Sequence, residues 1–380
     1  ELLADVEQRN LQNNIVGLEA SRLFARSEIN MGVDAFRDSL YAMLKRNTFL
    51  NIKFENMLDT LGEMSRTDLY SYLKEWEQLT PLPFYSIGEP ELTKVVNKGG
   101  EEFFVLKVLV SNNSDYDGII QMNVLQNGWW YQPMEDPRAR KKVEIAAHTS
   151  KEFVSVWEEQ IRDVEINTMV SGNLPYMIRQ SIGNVKQERN KIVKDTIYTL
   201  PESSLEMPGE VIVDNEDSTL FVLSTPAVVG LLPKWLDIVA DTSFKYSGIS
   251  WWRAPLQWTA TTNAKYYGKY IRSAYVIKSG DGSQTATWKI PVPEAGQYEL
   301  YYHVFKDDEL RWNDRLQGEY HFRVAYDSEM EDAYINLRKA NEGWEQLGTY
   351  YFSADTVRVV LTDECKLRSV TADAVKIVKR

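Results

Sequence analysis

The hydrophobic and polar positions change period partway along the chain. Apolar residues recur every three or four positions in LEASRLFARSEI and VDAFRDSLYAMLKR, which predicts helices within residues 1–83. SRTDLYSYLKEW, from Ser65, carries a helix start. Ser65 or Thr67 can accept a hydrogen bond from a free first-turn amide, and Asp68 suits the positive end of the helix dipole. PLP at Pro81 to Pro83 ends that helix, because proline has no amide to continue it. From Phe84 the period becomes two. FFVLKVLVSN and GIIQMNVLQ flank NSDYDG and predict a hairpin with a long turn, and KKVEIAAHTSKEFVSVW and VEINTMVS continue the pattern. This predicts a small antiparallel β-sandwich in residues 84–200, its tail mixed and partly helical through SGNLPYMIRQSI and GNVKQERNKIVKD.

PESSLEMPGEVIVDNED, rich in Pro, Ser and acids, opens a linker and connecting segment at residues 201–245. Within it LFVLST reads as a strand, and GLLPKWLDIVAD as either a short helix or a strand pair. Residues 246–380 return to short alternating strands, TATWKIPV, QYELYYHVF, EYHFRVAY and VRVVLTD, between turns at KSGDGSQ, PEAGQ, DDELRWND and SEMEDA. Regular short strands with turn signals predict a sandwich or jelly roll. The expected fold class is therefore α+β and multidomain.

Charge and composition narrow the function classes. A formal net charge of -12 argues against nucleic acid as the main partner, since phosphate binding needs clustered Lys and Arg. The RARKK run at Arg138 to Lys142 is short and reads as a solvated turn. The single cysteine, Cys365, allows no disulfide framework and no cysteine-rich zinc site within the chain. His148, His303 and His321 are scattered, without H-E-x-x-H spacing. No apolar run is long enough for a membrane span, and the longest stretch, from Thr225, is broken by Pro233 and Lys234. The chain opens on ELLADVEQ, inside a helical pattern, which predicts a piece of a larger protein whose targeting sequence has been removed.

Two family resemblances follow from particular residues. WWRAPLQWT and KYYGKYIRSAY, then ATWKIPVPEAGQYELYYHV, then GWEQLGTYYFS and TADAVKIV, in that order, resemble the golvesin-type domain, also found attached to xanthan lyases. Such domains resemble carbohydrate-binding β-sandwiches, so the resemblance implies a binding role. MGVDAFRDSLYAMLKRNTF, TDLYSYLKEWEQLTPLPFYSI, KEFVSVW and INTMVSGNLP resemble the region after the catalytic centre of gluzincin-type aminopeptidases. That resemblance implies an immunoglobulin-like fold for residues 84–200. The zinc-binding helix of those enzymes is absent here, so no catalytic residue carries over.

The candidate ligand-binding residues are the aromatics of the last module: Trp312, Trp251, Trp252, Trp258, Tyr266, Tyr267 and Tyr270. Sugars present C–H faces that stack on rings, and large apolar groups exposed at a surface mark binding sites. Trp312 lies in the polar turn DELRWNDR and leads the set; Trp251 and Trp252 point to opposite faces if they share a strand. Trp288 and Trp344 read as core. Asp307, Asp308, Glu309 and Asp314 could supply oxygens to calcium, but their spacing is not that of an EF-hand and a solvated loop is the plainer reading. Asp363 and Glu364 read the same way, and Asp373 reads as a structural acid holding the closing strand. Tyr301, Tyr302 and His303 could be drawn into lyase chemistry, yet alternating core packing explains them better. No acid/base pair, nucleophile elbow or phosphate loop is marked.

The sequence therefore points to a non-catalytic, extracytoplasmic part of a larger bacterial protein. It needs no cofactor or metal, and a polysaccharide or cell-surface glycan is its expected partner. The alternatives are a scaffold or protein-recognition tail of an aminopeptidase-like protein and, last, a polysaccharide lyase.

Overall fold

The computed structural model describes residues 9–66, 68–71, 81–125, 136–189, 193–202, 209–224, 245–246, 254–306 and 318–380. The chain divides into two compact units, Glu1–Leu205 and Glu206–Arg380.

The first unit opens with α1 (Arg9–Met31), α2 (Val33–Arg46) and α3 (Phe54–Ser65). Gly32, at φ +85°, makes the break between α1 and α2 in a conformation that L side chains resist. Asp34 sits in the first turn of α2 and Lys45 and Arg46 in its last, each complementing the helix dipole. Leu23, Phe36, Met43, Leu58, Leu61 and Leu69 form a small helical core. Ion pairs from Glu28 to Lys142 and from Arg26 to Glu144 tie α1 to β5 (Arg140–Ile145).

Ten strands follow in this unit. β10 (Thr196–Pro201), β6 (Thr149–Trp157), β3 (Glu102–Asn112), β2 (Glu91–Val96) and β9 (Val185–Arg189) form one sheet in that order, with β1 (Tyr85–Ile87) also on β3. A second sheet runs β5, β4 (Gly118–Leu125), β7 (Asp163–Asn167), β8 (Met177–Ser181). β3 is almost continuously apolar because both its faces are covered: Leu106, Val108 and Val110 enter the larger core, Val105 a smaller one.

The second unit holds three sheets. One runs β11 (Glu210–Val213), β22 (Val375–Lys379), β16 (Gly296–Val304), β19 (Gly343–Phe352). Another runs β12 (Phe221–Leu223), β15 (Thr285–Pro291), β20 (Thr356–Thr362), β17 (Glu319–Tyr326), β18 (Glu329–Asn336). The third runs β13 (Thr259–Thr262), β14 (Ser273–Lys278), β21 (Ser369–Ala372). One core joins them, with Trp288, Tyr302, Phe322, Phe352 and Leu361 fully buried at its centre.

The expected α+β class, with its immunoglobulin-like sandwich and its jelly roll, is overturned. The described residues are mostly β, with 22 strands and three short α-helices, and the strands form five separate sheets. A two-residue period reports that one face of a strand is buried, but not which strand lies beside it. β9 pairs with β2 in parallel, which no local pattern announces and which departs from the antiparallel immunoglobulin arrangement. Three sheets in the second unit replace the two of a jelly roll. The hairpin expected across NSDYDG does not form either, since β3 and β4 belong to different sheets. Buried Asn112 holds the crossing, its amide donating to the carbonyls of Tyr116 (2.8 Å) and Ile145 (3.0 Å).

Candidate functional site

Alternation along β16 separates two sets of side chains. Tyr298, Leu300, Tyr302 and Val304 enter the core, while Glu299, Tyr301 and His303 face away from it. Antiparallel register sets Trp344 of β19 opposite His303, and Lys376 of β22 opposite Tyr301. The loop between β13 and β14 brings further rings to this face. At Gly268, φ is +152° and an added Cβ would stand 1.9 Å from the Ile271 carbonyl oxygen, so only glycine fits the turn. The ring of Tyr266 turns inward onto Phe305, with centroids 4.7 Å apart. Tyr267 turns the other way and meets Trp344 at 5.1 Å and His303 at 5.8 Å, and His303 meets Trp344 edge-on at 5.2 Å.

Fully buried Asp373 anchors this group. Its carboxylate accepts the Tyr267 amide N–H at 3.2 Å and lies 2.8 Å from His303 Nδ1. Its own carbonyl accepts the Trp288 indole N–H at 3.2 Å. Burial pushes the Asp373 carboxyl above its ordinary range, and the charge and hydrogen bond of His303 partly oppose this. Beside the aromatic group, the Lys376 ammonium lies 4.8 Å from the Trp344 ring centre and 5.4 Å from that of Tyr301. Glu210 holds the same ammonium at 2.8 Å. Tyr301 donates to Glu299 at 2.6 Å, and Glu299 pairs with Arg380 at 3.0 Å. The result is a half-buried aromatic wall edged by fixed charges, the composition of a site that stacks a ligand face and hydrogen-bonds its rim.

The residues expected to bind ligand scatter. Trp312, Trp251 and Trp252 lie outside the described residues, as does the acidic loop Asp307, Asp308, Glu309 and Asp314. Trp258 is half-buried against the main core, its indole N–H without a partner among the described residues. Tyr266 is buried; Tyr270 is half-buried, with the Lys269 ammonium 5.6 Å from its ring centre. Among the described members of the set, Tyr267 alone joins the wall just described.

Two aromatics escaped the sequence reading. Trp344, read as core, stands on the outer face. Tyr334 on β18 is 58% exposed and stacks flat on His321 at 4.9 Å, with the planes 9° apart. Its signal was present in EMEDAYIN, where Ala333 and Ile335 point inward and Tyr334 between them must point out. Carboxylates of Asp332 (2.7 Å) and Glu364 (3.3 Å) flank the two ring nitrogens of His321. Among the described residues no group of three His, Cys, Asp or Glu could hold a metal ion. Burial pushes the Cys365 thiol up, away from nucleophilic character.

Comparison with known proteins bears on the same segment. Residues 251–379 match the Golvesin C-terminal domain. This supports the C-terminal resemblance, whereas the aminopeptidase resemblance of the first half gains no support. The search of curated proteins finds no match. Among solved structures, Paenibacillus xanthan lyase aligns at 17% identity over 79% of this chain and 27% of that one, with a TM-score of 0.32. Bacteroides uniformis β-glucuronidase aligns at 12% identity over 83% of this chain and 32% of that one, with a TM-score of 0.21. The chain thus spans about a third or less of each structure, and scores this low fix neither arrangement nor chemistry. No helix among the described residues is long and apolar enough to cross a membrane, which says nothing of a β-barrel.

Proposed function

We propose that the golvesin-type module binds a glycan or cell-surface polymer outside the cytoplasm, as a non-catalytic part of a larger bacterial protein. The observation that carries this reading is the Tyr267–Trp344 pair, 5.1 Å apart on the side of the sheet away from the core. A fully buried carboxylate fixes one ring of that pair through its backbone amide. A pyranose packed against Tyr267 and Trp344 would bring its hydroxyls toward the Lys376–Glu210 pair, whose ammonium lies 4.8 Å from the Trp344 ring centre. Such groups supply direction, while the rings supply contact area.

Affinity electrophoresis of the chain against acidic and neutral polysaccharides tests the proposal, with Tyr267→Ala and Trp344→Ala run in parallel. Retardation by at least one polymer, weakened by either change, is the expected result. Mobility unchanged by every polymer would refute glycan binding, and retardation indifferent to both changes would remove this face from it.

A further inference from the structure

The turn joining α2 to α3 carries a surface that the module's glycan chemistry does not use. Phe49 is 102% exposed, Leu50 65% and Phe54 53%, with Ile52 between them and Tyr41 and Leu44 exposed on the adjoining face of α2. These side chains are not a remnant of the local core, because Phe36, Met43, Leu58 and Leu61 already fill it. The backbone holds the apex out. Phe49 sits at φ +64°, a conformation a bulky L residue adopts only at a cost. The turn leading to it is tied down: Asn47 donates its side-chain amide to Met43 O at 2.8 Å, Thr48 its hydroxyl to Lys45 O at 2.8 Å, and Leu50 its amide to Asn47 O at 3.0 Å.

Charge selects the occupant. Between Asp38 and Glu55, which bound the turn, lie Lys45, Arg46 and Lys53 and no acid, within a chain of net charge -12. A second copy docked about a two-fold axis would bring this cationic collar against itself. An anionic phospholipid surface would instead neutralise the collar while the apex enters the headgroup and acyl boundary, with the Lys and Arg stems lying along the apolar surface. We infer that the α2–α3 turn is a wedge that docks this protein onto an anionic bilayer surface without crossing it. The Phe49 and Leu50 side chains provide the penetrating tip, and Lys45, Arg46 and Lys53 the headgroup contacts.

Sedimentation of the full chain with vesicles tests this. Binding is expected to phosphatidylglycerol-containing vesicles at low salt, to be absent with phosphatidylcholine alone, and to fall as salt is raised. Each Lys→Gln change in the collar should weaken partitioning about fivefold. The double change Phe49→Ser, Leu50→Ser should abolish it while leaving the circular dichroism spectrum unchanged, since Phe49 is fully exposed and Leu50 largely so. A Phe49→Trp variant should shift its fluorescence to the blue on anionic vesicles. Failure of the unaltered chain to sediment with anionic vesicles at low salt would overturn the inference. So would undiminished binding of the double variant, or self-association that the double variant abolishes without any uptake by vesicles, which would assign the turn to a protein contact.

Discussion

Asp373→Ala offers the sharpest test of how the aromatic wall is held. The carboxylate is fully buried and satisfies the Tyr267 amide and His303 Nδ1. Removing it leaves two donors without their acceptor, each costing about 1–3 kcal/mol when buried. The His303 side chain retains some exposure, 12%, so its share falls at the low end of that range. Loss of a buried charge returns part of the total, because burial already disfavours the ionised carboxyl. A net destabilisation of about 2–4 kcal/mol follows. Asp373→Asn keeps one acceptor oxygen in the same place and should cost about 1–2 kcal/mol. Urea unfolding of the full chain, followed by tryptophan fluorescence, reads the difference. Trp288 is a local reporter, since its buried indole bonds the Asp373 carbonyl. The two compact units need not unfold together, so the affected transition should be the one that also responds to Trp288→Phe. An Asp373→Ala shift below about 1 kcal/mol, or an Asn variant as damaged as the Ala variant, would refute the anchoring role.

Other changes probe separate parts of the molecule. Gly268→Ala should distort the loop that carries Tyr267, because its Cβ meets a backbone oxygen at 1.9 Å; a loss of stability of about 1–3 kcal/mol, measured by urea unfolding, should come with weaker polymer retardation. In the first unit, hydrogen bonds donated by the imidazolium to Asp115 and then Glu202 raise the His148 pKa above its ordinary value of 6.5. A raised histidine contributes stability that is complete below its unfolded value and fades as pH climbs through the folded one. The Tm advantage of the unaltered chain over His148→Asn should therefore be largest below about pH 6.5 and shrink as pH rises through the folded value; a pH-independent difference would dismiss the pairing as energetically idle. Tyr334→Ala removes an exposed ring stacked on His321, and calorimetry should show stability unchanged within about 1 kcal/mol, because the side chain is outside the core.

What could be read from the sequence ends where strand pairing becomes non-local. The inward and outward sets of β16 follow from alternation, so Tyr302 in the core and His303 outside it were both within reach of the pattern. Trp344 was not. Its strand-like or tight-turn context reads as core, and counting back by twos along β19 from the buried Phe352 and Tyr350 would likewise place Gly348, Gln346 and Trp344 on the inner face. The β16–β19 register shifts between Leu300 and Tyr301, and Leu347 is the additional residue on β19. A bulge reverses the phase of every side chain beyond it. Leu347 packs on the core, and Trp344 emerges opposite His303, where it meets Tyr267. The wall on which the proposed function rests thus depends on one inserted residue, which composition and period do not report. The same limit explains β2 and β9, whose parallel contact joins Leu92 to Val185 across nearly half the sequence of the first unit. By contrast, the apolar and cationic turn around Phe49 is wholly local. LKRNTFLNIKF already carries its charge and its exposed rings in sequence, and the structure adds the left-handed backbone that holds Phe49 outward.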